Sequence, residues 1–226
     1  MIDFKGHRFE KDLILLCVRW YLAYPLSYRN LEEMMAERGV QVDHSNLYRW
    51  VQKFTPQLEA IFRQGKKRLV GTSWRMDETY IKIKGQWKYL YRAVDKAGQT
   101  IDFLLTAHRD KKAARRFLKK AIRQHGVPDK VTIDKSGANT AALEALQEET
   151  GQAIEICQSK YVNNLIEQDH RSVKRIVRPM LGFKAFHSAK VTLQGIELMH
   201  MIKKGQRLAA HSQNRSAAGQ FYSLAA

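Results

Sequence analysis

The stretch SWRMDETYIKIKGQWKYLYRAVD, Ser73–Asp95, decides how the rest of the chain is read. Its β-branched and aromatic residues, split at Lys84-Gly85-Gln86, read as the two strands of a hairpin. Two acids, Asp77 and Glu78, stand near its start, although acids are depleted in strands and almost never buried unpaired. A third strand, Thr100–Thr106, follows the Gly-containing DKAGQ and completes an antiparallel meander. Beyond it come a basic helix (Lys111–Gln124), a short strand after Pro128 (KVTID) and a helix (Ala141–Thr150). A last short strand (AIEIC) and long helical stretches follow, the final one at about 189–205. The order βββαβαβα predicts an α/β domain.

Upstream, the first 55 residues read as helices. One ends near Pro25, a second starts at the N-cap Ser27 and stops around Gly39, and a third is capped by Asp43. On the third, Leu47, Trp50, Val51 and Phe54 form an apolar stripe and leave Ser45, Asn46, Tyr48, Arg49, Gln52 and Lys53 outside it. Those polar groups suit bases and phosphates, and helix, Gly turn and polar-faced helix suggest a helix-turn-helix. A small helical bundle with a solvated face is the alternative.

Charge favours the DNA reading. Lys and Arg number 39 against 22 Asp and Glu, a net charge of +17 spread along the chain, which counterion release on a polyanion rewards. No run of some 18 apolar residues suggests a membrane span, and MIDFKGHRFEKD lacks the apolar core of a signal peptide, so a cytoplasmic protein is expected. Cys17 and Cys157 are far apart and show no zinc or disulfide pattern.

Three acids stand out by position: Asp77 inside the first strand, Asp134 at the end of the fourth (TIDKSGAN), and Glu167 in YVNNLIEQDHRSVKR. Ligands commonly bind at the carboxyl edge of such a sheet. Two neighbouring strands and a helix would gather three hard oxygen donors, which Mg²⁺ takes together with water and phosphate oxygens. Two such ions suit in-line displacement at phosphorus. Taken singly, each acid has a plainer reading: a solvated strand face, a turn cap, or an i,i+4 pair of Glu167 with Arg171. Alternation puts Asp77 with Thr79, Ile81 and Ile83, and Glu78 with Tyr80, Lys82 and Lys84, so Asp77 is chosen as lying on the packed face. Helical spacing aligns Glu167, His170, Arg171, Lys174 and Arg178, whereas Asp169 points elsewhere. His170 reads as a phosphate contact or a solvated residue. The aromatics Trp74, Trp87, Tyr89 and Tyr91 are expected to pack between sheet and helices, with stacking on unpaired bases as the alternative.

Over nearly its whole length the chain resembles the DDE transposases of bacterial insertion sequences, in particular the insertion-sequence-six family. The matching stretches are WRMDETYIKIKGQWKYLYRAVDKAG, TIDKSGANTAAL, YVNNLIEQDHRSVKRIVRPMLGFKAF and GIELMHMIKKGQ. The resemblance implies a ribonuclease H-like α/β domain, a mixed five-stranded sheet with flanking helices, preceded by the all-α helix-turn-helix domain. The expected boundaries are 1–55 for the helix-turn-helix, 56–70 for a linker, 71–207 for the catalytic domain and 208–226 for a tail. It implies Asp77, Asp134 and Glu167 as the metal-binding triad and Lys174 as the accompanying basic residue. Two Mg²⁺ ions, replaceable by Mn²⁺, are the implied cofactor. Between Asp134 and Glu167 lie 32 residues, slightly fewer than is usual in the family, which a shortened loop would account for.

The implied activity is nicking of element ends to expose 3′-hydroxyls and joining to target DNA, typically by a replicative route that gives cointegrates. Ser45, Asn46, Tyr48, Arg49 and Lys53 are the expected contacts to the terminal inverted repeats, with His170, Arg171 and Arg178 on the DNA backbone. The expected partners are double-stranded DNA, both element ends and target, and further copies of the chain in a dimer or larger assembly. The expected location is the bacterial nucleoid. A catalytically silent end-binding protein, or a nuclease on the same fold, are the rival readings.

Overall fold

The computed structural model describes residues 2–65, 70–159, 164–207 and 216–226. Its contacts divide the chain into two compact units, Leu69–Arg171 and Met1–Arg68 with Ser172–Ala226, and the division falls within one helix.

Five strands form the first unit's sheet: β1 (Ser73–Ile83), β2 (Gln86–Asp95), β3 (Thr100–Thr106), β4 (Lys130–Ile133) and β5 (Glu155–Gln158). Their order is β3-β2-β1-β4-β5. The β1–β2 and β2–β3 pairs are antiparallel, and β1–β4 and β4–β5 are parallel, so the sheet is mixed as expected. The parallel connections need crossovers, which α4 (Lys111–His125) and α5 (Gly137–Thr150) supply. Asp110 caps α4 by accepting from the Ala113 N–H at 2.7 Å. The apolar stripe of α4 (Ala114, Phe117, Leu118, Ala121) and that of α5 (Leu143, Leu146) cover one sheet face, against Trp74, Met76, Tyr91, Ala93 and Val131. Burying a Phe or Leu here contributes about 1.5–3 kcal/mol apiece.

The β1–β2 hairpin outreaches the sheet. Pairing of β1 with β4 is confined to Ser73–Arg75, and pairing of β2 with β3 stops at Tyr89. Tyr80–Ile83 and 86–88 therefore run on as a two-stranded ribbon. It closes at Lys84 and Gly85, both left-handed (φ 50° and 75°), the backbone a tight hairpin turn demands.

The second unit is helical, with α1 (Lys11–Ala23), α2 (Tyr28–Ala36), α3 (His44–Gly65), α7 (Phe186–Lys203) and α8 (Ala217–Tyr222). Helix α6 (Asn164–Val177) spans the division and leads into a 3₁₀ turn, Arg178–Met180. Ser27 caps α2 with a full capping box from Asn30, and Gly39 (φ 74°) turns the chain toward α3. Helix α7 packs on α1 and α3. The approach is close: a Cβ on Gly195 would overlap Leu22 and lie 2.8 Å from Thr55 Cγ2.

Three observations bear on the expected boundaries. Within the expected connector, residues 56–65 are helical, because α3 continues through Pro56 to Gly65. Leu58 and Phe62 extend its buried stripe, which offsets the roughly 3 kcal/mol that an interior proline costs. The remainder of that stretch is described from residue 70 onward, residues 66–69 lying outside the described residues. Helix α7, expected to close the α/β domain, packs with the N-terminal helices. The expected loose tail ends in α8, where Phe221 is fully buried, and residues 208–215 lie outside the described residues. Both cysteines are free, and among the described residues no helix is long and apolar enough to cross a membrane.

Candidate active site

Register brings the first two acids together. The last parallel pair between β1 and β4 is Arg75–Thr132, and two residues further on each strand stand Asp77 and Asp134. Pleating sends Glu78 to the opposite face from Asp77, yet one oxygen from each of Asp77, Glu78 and Asp134 lies within 4.8 Å of the others. Three carboxylates at this separation repel one another, so the surroundings decide which charges persist.

Glu78 is the most committed of the three. Its side chain is 3% exposed, Oε1 accepts from Asn139 Nδ2 at 2.9 Å, and Oε2 accepts from Arg109 at 3.2 Å. The same guanidinium nitrogen of Arg109 donates to Asp134 Oδ2 at 3.1 Å. Asp134 Oδ1 is buried and has no hydrogen-bond partner among the described residues. Burial pushes the Asp77 carboxyl up to about 7, with the charges of Glu78 and Asp134 adding to the effect. Glu78 is also raised by burial, against the pull of Asn139 and Arg109.

The donor set fits a hard divalent cation. Asp77 and Asp134 converge beside the braced Glu78, one buried oxygen of Asp134 is unpartnered, and the raised Asp77 marks a place where added positive charge would be stabilising.

Helix α6 reaches this centre through His170, whose Nδ1 lies 3.6 Å from Asp77 Oδ2. His170 is 6% exposed, which corrects its reading as a solvated or DNA-facing residue. Asp169 does point elsewhere, into a buried ion pair with Arg92 at 3.0 Å. Glu167 lies one turn before His170 in the first turn of α6, is exposed, and stands outside the three-carboxylate cluster. Arg171, Lys174 and Arg178 are exposed.

On α3, Tyr48, Arg49 and Lys53 are exposed, and Ser45 and Asn46 half-buried. Asn46 Oδ1 accepts from Arg49 at 3.2 Å, and Lys53 Nζ lies 2.8 Å from His7 Nε2. Reading the chain alone missed Arg109, Asn139 and Arg92. Asn139, fully buried in the first turn of α5, is the one with a sequence signal: an amide in TIDKSGAN directly after an acid-bearing strand.

Residues 71–206 match a family described as a DDE domain. The chain is 44% identical over 205 residues to the "Transposase for insertion sequence-like element IS431mec" of Staphylococcus aureus, covering 90% of each chain. It is 43% identical, again over 205 residues and 90% of each chain, to the S. aureus "Transposase for insertion sequence element IS257 in transposon Tn4003". The chain belongs to the DDE transposases of the insertion-sequence-six family. Among solved structures, the catalytic core of HTLV-2 integrase in complex with magnesium aligns with 16% identity and a TM-score of 0.45, covering 59% of this chain and 88% of that one. The BIV integrase core aligns with 19% identity and a TM-score of 0.44, covering 57% and 83%. As a member of that family this transposase is a DNA phosphoryl-transfer enzyme, and the carboxylate cluster sits just past the point where the parallel pairing of β1 and β4 ends.

Proposed function

We propose that this transposase binds the terminal inverted repeats of its insertion sequence and carries out metal-dependent strand cleavage and strand transfer, by a replicative route that yields cointegrates. The observation that carries the reading is the convergence of Asp77 and Asp134 just past the end of the parallel β1–β4 pairing, inside a chain of net charge +17. Asp77, Asp134 and Glu167 would hold two Mg²⁺ ions, for which Mn²⁺ would substitute. When bound, the ions polarise the scissile phosphate and lower the cost of charge on the attacking and leaving oxygens.

The chain's own groups divide the remaining work. Glu78 has both oxygens engaged by Asn139 and Arg109, so it braces the site, while Asp134 keeps a buried unpartnered oxygen and the partly exposed Asp77 stands beside it for the cation. Arg109 neutralises the Glu78–Asp134 pair and holds the Asp134 loop in place. His170 limits the rotation of Asp77 and ties α6, and with it Glu167, to β1. Lys174 and Arg171 contact the phosphates flanking the scissile bond, and Arg178 the backbone beyond. Ser45, Asn46, Tyr48, Arg49 and Lys53 read the repeat from α3 in the major groove. No protein nucleophile is needed: water attacks for cleavage and the freed 3′-hydroxyl for joining. Two ends must meet, so the protein works as a dimer or larger assembly on nucleoid DNA in the cytoplasm.

The test compares the native protein with Asp134→Asn on labelled DNA carrying the element's ends. Cleavage and joining with Mg²⁺ or Mn²⁺ should be lost, with end binding kept. If neither protein cuts or joins the ends while both bind them, the catalytically silent reading replaces this one.

A further inference from the structure

The β1–β2 ribbon carries a feature that the chemistry above does not use. Along one face of the hairpin the facing pairs run Met76–Ala93, Glu78–Tyr91, Tyr80–Tyr89 and Lys82–Trp87. The first pair is core and the second borders the carboxylate centre. Tyr89 is the last β2 residue paired with β3 and packs against the core, and beyond it the Lys82–Trp87 pair runs on outside the sheet. Tyr80 is 49% exposed and Trp87 59%, which corrects the expectation that Trp87 packs between sheet and helices.

Cross-strand aromatic pairs do stabilise ribbons, by about as much as a few tenths of a kcal/mol to one. Here Tyr80 meets Trp87 edge-on, with centroids 6.3 Å apart and planes at 78°, and meets Tyr89 tilted at 57° across 5.5 Å. An edge-on contact leaves a ring face open. Lys82 and Lys84 are exposed beside these rings and Lys88 is half-buried on the same ribbon.

We infer that Tyr80 and Trp87, backed by Tyr89, form a stacking platform for unpaired bases of the DNA strand that borders the scissile phosphate. The inference rests on the proposed DNA strand-transfer reading and adds to it the substrate state: a strand already separated from its complement. Three properties match single-stranded DNA: open ring faces for any base, lysines for the backbone, and continuity along one strand face with Glu78. One residue pair along the hairpin is about 7 Å along each strand for every two residues, close to the spacing of successive nucleotides in an extended single strand.

The experiment measures binding of labelled DNA by fluorescence anisotropy, with an end duplex that is either blunt or carries three unpaired thymidines at the cleavage position. A third probe has abasic sugars in those three positions, which keeps the phosphates and removes the bases. The native protein should prefer the unpaired-base probe over both others. Trp87→Ala and Tyr80→Ala should each reduce that preference about 5- to 100-fold, the range expected for one lost stacked base, while blunt-duplex affinity stays within twofold. Trp87→Phe should retain much of the preference, which a general loss of folding would not allow. Unchanged preference in both alanine variants overturns the platform. So does an equal preference for the abasic probe, which would mean that Lys82 and Lys84 act on phosphates alone. If Trp87→Ala instead alters the sedimentation of the protein without altering the preference, the rings meet a second copy of the chain and the inference fails. Failure of the native protein to bind any of the probes would remove the DNA-end reading itself, a result distinct from each of these.

Discussion

The buried pair between Arg92 and Asp169 offers the sharpest stability test. Arg92 is 0% exposed in its side chain and Asp169 11%, with Nη2 and Oδ2 3.0 Å apart. Asp169→Asn keeps the shape and removes the charge. Two unit charges at this distance attract by about 5–6 kcal/mol at an effective dielectric of about 20, before desolvation is set against it. Measured cases of breaking a buried pair from one side cost about 3–5 kcal/mol, because the remaining charge stays desolvated. For a chain of 226 residues, each kcal/mol lowers the melting midpoint by about 2–4 °C, so the variant should melt roughly 6–20 °C below the native protein.

The assay is thermal unfolding followed by circular dichroism in EDTA, with Arg92→Met combined with Asp169→Leu as the third protein. Removing both charges should recover most of the loss, since an apolar pair of similar volume has no desolvated charge to support. There is a functional consequence as well. Asp169 is two residues from Glu167 on α6 and one from His170, so it helps set the rotation at which α6 meets β1. Asp169→Asn should therefore weaken strand cleavage more than end binding. A single variant that melts within about 2 °C of native, or a double variant that melts as low as the single one, would refute the reasoning.

Two further outcomes are expected. Gly195→Ala should destabilise the helical unit by about 1–3 kcal/mol, because the new Cβ overlaps Leu22 and crowds Thr55, and a urea titration should show a lower midpoint. In EDTA, the native protein should lose stability as pH rises from about 5 to 7 relative to Asp77→Asn, checked by melting midpoints across that range. The sign follows from Asp77 at about 7 when folded, above the roughly 3.9 of a free aspartate: the folded state holds a proton that the unfolded chain has released. Stability from this group is complete below the unfolded value and is lost as pH passes through 7. Excess Mn²⁺ should reverse the loss, because a bound cation favours the carboxylate.

The order of elements was legible because each strand and helix carries its own period. Alternation marks β1, the Lys84-Gly85 turn needs its left-handed backbone, and α4 shows an apolar stripe between runs of Lys and Arg. Domain boundaries were less legible. Pro56 and the RQGKKR run look like a break, yet the buried Leu58 and Phe62 keep α3 continuous, and only tertiary packing makes that worthwhile. Arg109 and Arg92 were invisible for the same reason. Among 39 basic residues, nothing local distinguishes one that bridges two carboxylates or one whose charge is buried.

The choice between Asp77 and Glu78 shows where period-based reasoning ends. Asp77 was selected as the acid on the packed face, and that premise does not separate the two, since Glu78 shares its face with the core residues Trp74 and Met76. What separates them is satisfaction of their oxygens. Glu78 is enclosed and spends both oxygens on Asn139 and Arg109, whereas Asp77 sits 20% exposed, raised toward neutrality, with a histidine beyond close hydrogen-bond distance. A buried, fully bonded carboxylate is poorly suited to take on a cation, because ligation would strand Asn139 and Arg109 without their acceptor. An under-bonded carboxylate loses nothing by ligation and gains relief from its neighbours' charge. The same test applied to α6 sets Asp169, committed to Arg92, against the exposed Glu167, and it selects Glu167. The acids proposed for metal are thus the ones the fold leaves incompletely bonded, and the acids beside them hold the frame in which they stand.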